Sequence, residues 1–157
     1  MLDSVLDHRA AAYASGPLQT GRLYYEARAG RLPAGFDVRK FNGTRLSRFA
    51  RQLRDKLPYP VIDPGLLVVD SWTGGDYLDL YLEILGRYAK EIWFIDGWQY
   101  SSGATAEYRA ALEAGMPCLD SSGERLSPNR AEALISGAVD HIGSLGLEAN
   151  VILADAA

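Results

Sequence analysis

The chain has 157 residues, 48% hydrophobic and 23% charged, with a net charge of −4. Its length suits one domain with a full core, and its acidic balance argues against a nucleic-acid duplex or an anionic membrane as the main partner. A single cysteine, Cys118, leaves no disulfide framework within the chain, and two widely separated histidines, His8 and His141, argue against a transition-metal site.

No cofactor is implied. No signal peptide or membrane span is read, which makes the cytoplasm the expected compartment.

Apolar runs alternate with helical patterns along the chain. Arg9 to Ala14 reads as a first strand, ended by the turn Ser15-Gly16-Pro17. Residues 18–42 show no sustained period and read as a long loop with a short helix near Tyr24 to Ala29, of the kind that often carries function. A basic amphipathic helix spans about Thr44 to Leu57, with Leu46, Phe49, Ala50, Leu53 and Leu57 recurring at helical spacing and a solvated basic outer face, a nucleic-acid role being the alternative for that face. Pro58-Tyr59-Pro60 breaks it, and Val61-Ile62 leads a short second strand.

Leu66 to Asp70 is a further apolar run, strand or buried loop. A helix from about Gly75 to Ala89 is apolar over most of its circumference, with a narrow polar stripe of Asp76, Asp79, Glu83 and Arg87. It is expected to be largely buried or covered by a partner subunit. A strand follows at Glu91 to Asp96, then a helix to Ala114, a strand near Met116 to Leu119 and a helix from Ser127-Pro128-Asn129 to about Ile142. Val151-Ile152-Leu153 adds a candidate last strand. The alternation predicts a small doubly wound α/β domain with a parallel sheet of about five strands flanked by helices.

The segment from Ile92 to Glu107 is the one that points to chemistry. It reads as a buried strand, a sharp polar turn and a helix start, the place where open α/β sheets bind phosphorylated or sugar ligands. The polar positions of this helix are Thr105, Arg109 and Glu113, four apart on one face. At about 100° per residue, Glu107 points nearly away from them, into a stripe of Gly103, Ala104, Ala110, Ala111 and Ala114. An inward carboxylate is costly unless something pairs with it or the site is a cleft. Asp96 follows a buried strand and so lies at the carboxyl edge of the sheet, where ligands sit, while Asp79 lies on the polar stripe of its own helix. Ser101, Ser102 and Gly103 supply hydroxyls and N–H groups suited to a phosphate, and Ser102 reads equally as a simple helix N-cap.

Two segments together resemble a known family. They are Tyr13-Ala14-Ser15-Gly16-Pro17-Leu18 and Asp96-Gly97-Trp98-x-x-Ser101-Ser102-Gly103-x-x-x-Glu107, the latter followed by Gly115-Met116-Pro117. Over roughly residues 10–120 the chain resembles the nucleoside 2-deoxyribosyltransferase-like superfamily, which includes nucleoside 5′-monophosphate N-glycosidases. The resemblance implies a Rossmann-like, flavodoxin-like fold that cleaves N-glycosidic bonds, a small nucleotide or nucleoside substrate, and a homodimer.

It further implies that Glu107 is the nucleophile, that a nearby aspartate, Asp96 or Asp79, orients it or protonates the leaving base, that the Ser15-Gly16-Pro17 loop takes sugar and base, and that Tyr13, Trp98 and Tyr24 or Tyr25 stack on the base. Ser101-Ser102-Gly103 stands where transferases acting on unphosphorylated nucleosides commonly carry a carboxylate, which favours a nucleoside monophosphate with water as acceptor. Residues 150–157 lack the tail associated with transferases, which weakens deoxyribosyl exchange as a reading. A nucleotide-binding module without turnover is the third alternative.

Overall fold

The computed structural model describes residues 9–156, so His8 lies outside it. Strands β1 (Ala11–Ser15), β2 (Val61–Ile62), β3 (Ala89–Phe94) and β4 (Cys118–Leu119) form one parallel sheet in the order β2-β1-β3-β4. Helices α1 (Arg22–Arg28), α2 (Val38–Lys56), α3 (Gly74–Tyr88), α4 (Ser102–Glu113), α5 (Pro128–Ser144) and α6 (Val151–Ala156) flank it. No described helix is long and apolar enough to cross a membrane.

β1 lies between β2 and β3, and all five of its residues are buried. Successive strand residues face opposite sides of a sheet, and here that alternation divides the core. Ala12 and Ala14 pack with Leu46, Phe49, Ala50 and Leu53 of α2. Tyr13 joins Tyr77, Tyr81 and Leu85 of α3, Ile92 and Phe94 of β3, and Tyr108 of α4. Small alanines on the first side let α2 approach closely. The same period puts the hydroxyls of Tyr13 and Ser15 on one side, toward α4.

Gly16, just after β1, is a close-approach position. A Cβ there would collide with Ile95 Cγ2 and lie 3.4 Å from Leu46 Cδ1. Gly16→Ala is therefore expected to destabilise the fold by roughly 1–3 kcal/mol, the usual cost of overpacking. The denaturant midpoint at constant m-value measures it.

Several elements differ from the sequence expectation. Among the described residues the sheet has four strands rather than about five. The 66–70 run is not a strand: Pro64–Leu66 form one 3-10 turn capped by Asp63 Oδ1, and Leu66 and Val68 are exposed. Val151 to Leu153 is not a strand either. It lies in α6, where Asn150 Oδ1 accepts from Ile152 N and buried Leu153 packs with Tyr25 and Ile142. α2 starts at Val38, several residues early, because Asp37 caps it by accepting from Lys40 N. Asn42 and Gly43, weak helix formers, hid its first turns. α3 opens with a Thr73–Asp76 capping box and is buried along one stripe, Tyr77, Tyr81, Leu85 and Tyr88, while Leu78, Leu80, Leu82 and Ile84 are only half-buried.

Candidate functional site

Glu107 lies one and a half turns into α4 and is 5% exposed. Both of its oxygens are held from β1. Tyr13 donates its hydroxyl to Oε1 at 2.6 Å, and Ser15 donates to Oε2 at 2.5 Å. Burial pushes the carboxyl up to about 7, against the opposing pull of the Ser15 and Tyr13 hydrogen bonds. The Tyr13 hydroxyl is in turn raised well above its ordinary value, first by burial and then by the neighbouring Glu107 charge. A carboxyl at about 7 is near balance between base and acid at neutral pH, the condition that favours proton transfer or nucleophilic attack.

Glu107 opens on a cleft of about 380 Å3. Gly16, Leu18 and Thr20 of the loop after β1 form one wall, with Tyr77 and Tyr81 of α3 and the segment Ser101 to Ala104 of α4. Asn150 and Ile152 contribute from the C-terminal segment, and Arg39 from α2. Among the described residues that line this cleft, Glu107 is the one carboxylate and Arg39 the one permanent cation. No group of three or more His, Cys, Asp or Glu able to hold a metal occurs among the described residues.

The start of α4 is built to leave a donor free. Ser101, not Ser102, is the N-cap, and its Oγ accepts from Ala104 N at 3.2 Å. Thr20 Oγ1 accepts from Ser102 N at 3.2 Å. Among the described residues, no hydrogen bond from the Gly103 N–H accompanies those from Ser102 N, Ala104 N and Thr105 N. Gly74 and Gly75, the first residues of α3, border the same cleft. Two helix N-termini, each with positive dipole character, thus meet at one opening.

The other residues singled out from the sequence are distributed unevenly. Ser15, Gly16, Ser101, Ser102 and Gly103 are at the site. Tyr13 is there too, but wholly buried behind Glu107, so it holds the carboxylate and cannot stack on a ligand. Trp98 is buried against Phe94 and Tyr108, with ring centroids 4.6 and 5.3 Å away, and is a core residue. Tyr25 is buried and accepts from Asn150 N through its hydroxyl, with Tyr24 edge-on to it.

Asp96 is exposed and accepts from Ser121 Oγ at 2.8 Å. It lines a separate depression together with Pro17. Asp79 is exposed on α3 and does not line the cleft. Neither aspartate is brought to Glu107. Thr105, expected on the polar face of α4, is fully buried with its Oγ1 unpartnered.

Arg39, Tyr77, Tyr81 and Thr20 went unnoticed in the sequence. Arg39 donates to Leu67 O at 2.9 Å and lies over the Tyr77 ring at 5.7 Å. The Tyr81 hydroxyl donates to Pro64 O, and burial pushes it up to about 12. The i, i+4 spacing of Tyr77 and Tyr81 is by itself that of an ordinary core stripe.

Removing the Tyr13 hydroxyl tests the holding role. Tyr13→Phe deletes a bond that favours the ionised carboxylate, so the Glu107 carboxyl moves further up. Where folding survives, any rate profile controlled by Glu107 shifts to higher pH, and stability at pH 8 falls by about 1.5–3 kcal/mol, the usual worth of a hydrogen bond to a charged group.

No protein-family model matches the chain, and neither the curated proteins nor the solved structures contain a match to it.

Proposed function

We propose that this chain hydrolyses the N-glycosidic bond of a nucleoside 5′-monophosphate, with Glu107 as nucleophile. One observation carries the reading: a buried carboxylate, gripped by two hydroxyls, opens on a cleft whose rim offers helix N-terminal donors and an arginine. The strand order β2-β1-β3-β4 supports a Rossmann-like scaffold, being that of the flavodoxin-like sheet without its last strand.

In this mechanism the Glu107 carboxylate attacks the anomeric carbon. The bond from that carbon to the base nitrogen breaks, and the base leaves with the electron pair and takes a proton from solvent. Water then cleaves the glycosyl ester and regenerates the carboxylate. Splitting one displacement into two is the logic of retaining glycoside chemistry. Ser101, Ser102 and the Gly103 N–H hold the phosphate, and Tyr77 and Tyr81 flank the bound ligand. Base exchange uses the same first step with a second base in place of water.

The separation of Asp96 from Glu107 favours one rival, a nucleotide-binding module without turnover, because among the described residues no second carboxylate lines the cleft to serve a leaving group. A screen of the common nucleoside monophosphates for released base decides. Release that depends on Glu107 supports hydrolysis. Release only when a second base is supplied, with unphosphorylated nucleosides accepted, identifies exchange. Ligand-induced melting shifts without release identify the binding module.

A further inference from the structure

The outer face of α2 is left unexplained by the Glu107 cleft. Val38–Lys56 contains Arg39, Lys40, Arg45, Arg48, Arg51, Arg54 and Lys56 against one acid, Asp55, with the N-cap Asp37 just before it at the Lys40 end of the face, in a chain whose net charge is −4. Lys40, Arg48 and Arg51 are exposed, and no ion pair among the described residues involves any of them. They line a groove of about 620 Å3 between α2 and the segment from Gly65 to Val68. On its other side the Lys40–Arg48 ridge borders a second depression of about 390 Å3, walled by Phe36 and Phe41. Those two rings are exposed by 36% and 50%, with centroids 5.7 Å apart.

We propose that this face is a docking site for single-stranded nucleic acid. The cations run from Lys40 to Arg51 over about 16 Å of helix. They do not converge on one point, so they suit a row of phosphates better than a single anion. The aromatic pair beside them offers a surface on which bases stack, and a cationic track with neighbouring aromatic faces is the general recipe for sequence-tolerant single-strand binding.

Two other occupants fit less well. An isologous contact with a second copy would set the basic face against itself. A membrane would need the apolar face of the helix, but Leu46, Phe49, Ala50 and Leu53 are buried in the core. The acidic remainder of the chain repels a polyanion, which confines the strand to this face. Arg39 lines both this groove and the Glu107 cleft. The proposal itself does not depend on the glycosidase reading.

Fluorescence anisotropy of a labelled fifteen-residue oligo-dT with the full chain tests it. Binding is expected at low salt, with log affinity falling against log salt at a slope of about −2, the value for three neutralised phosphates on a single strand. Arg48→Glu/Arg51→Glu is expected to lose at least about tenfold in affinity, roughly what reversing two phosphate contacts removes. Phe41→Ala is expected to lose about fivefold or more, from base stacking. Both should keep the melting temperature and, if base release is found, its rate on mononucleotides.

Glu107→Gln should bind the oligonucleotide as the parent does, so failure of the glycosidase reading leaves this outcome untouched. No binding at low salt would overturn the proposal. So would affinity unchanged by the charge reversals, or protein that sediments with phosphatidylserine-containing vesicles while ignoring the oligonucleotide.

Discussion

Glu107→Ala is expected, under the proposed mechanism, to slow base release from a nucleoside monophosphate by roughly a thousandfold or more, the scale on which removal of a covalent nucleophile acts. The substitution also strips the acceptor from two buried hydroxyls, Tyr13 and Ser15, each of which then costs stability. Glu107→Gln is the cleaner probe. It keeps one carbonyl acceptor and the side-chain volume, and its amide group can donate to the second hydroxyl. Loss of turnover in a Glu107→Gln protein that melts as well as the parent separates chemistry from folding. A parent-like progress curve from either variant sinks the nucleophile assignment.

The second large effect is on stability against pH. An unfolded glutamate ionises near its ordinary value of 4.5, whereas burial holds folded Glu107 at about 7. Between those values the folded protein keeps a proton that the unfolded chain has released. Stability is therefore highest below pH 4.5 as far as this group is concerned, falls as pH rises through the window, and levels off above about 7. The full effect is roughly 3 kcal/mol.

Asp120 titrates well below that window, at about 2: burial pushes it up, but the hydrogen bonds from the Ser122 and Arg130 side chains and the Glu124 and Ser122 backbone together outweigh it. Asp76, held low by its bonds from Thr73, does the same. Neither masks the Glu107 slope. Urea unfolding at pH 5 and pH 8 should show the drop in the parent and not in Glu107→Gln. Under the proposed mechanism activity runs the other way: the attacking species there is the carboxylate, so base release is expected to rise with pH to a plateau above about 7. A parent whose stability is flat across this range would mean that the carboxyl is not desolvated as its burial implies.

How much of this was legible beforehand depended on the range of the interaction. That Glu107 points inward follows from helix geometry within one turn of α4. The α4 cap was nearly so, misplaced by one residue because Ser101 and Ser102 are equivalent in composition and only Thr20, from another loop, distinguishes them. Asp96 illustrates the opposite case. Its position after β3 was readable, but the chain turns at Gly97, which has φ 88°, and the carboxylate meets Ser121 in the loop after β4. Nothing local to Asp96 announces Ser121.

Arg39, Tyr77, Tyr81 and Asn150 reach the cleft from three different elements, and each looks alone like a surface cation, a core ring or a loop residue. The strand count failed for a related reason. Short apolar runs such as 66–70 and 151–153 carry no period of their own, and whether they join a sheet depends on an edge being available to pair with.

From its residues alone this chain determines an alternating α/β order, a basic α2, and an acid turned away from the polar face of α4, because strand period, helix period and capping are short-range properties. Only the folded molecule decides that Tyr13 and Ser15 close on that acid from β1, that Asp96 is directed elsewhere, and that an arginine and two helix starts share the opening. Those contacts join residues up to ninety-four positions apart, and packing around the buried sheet, not any local preference, brings them together.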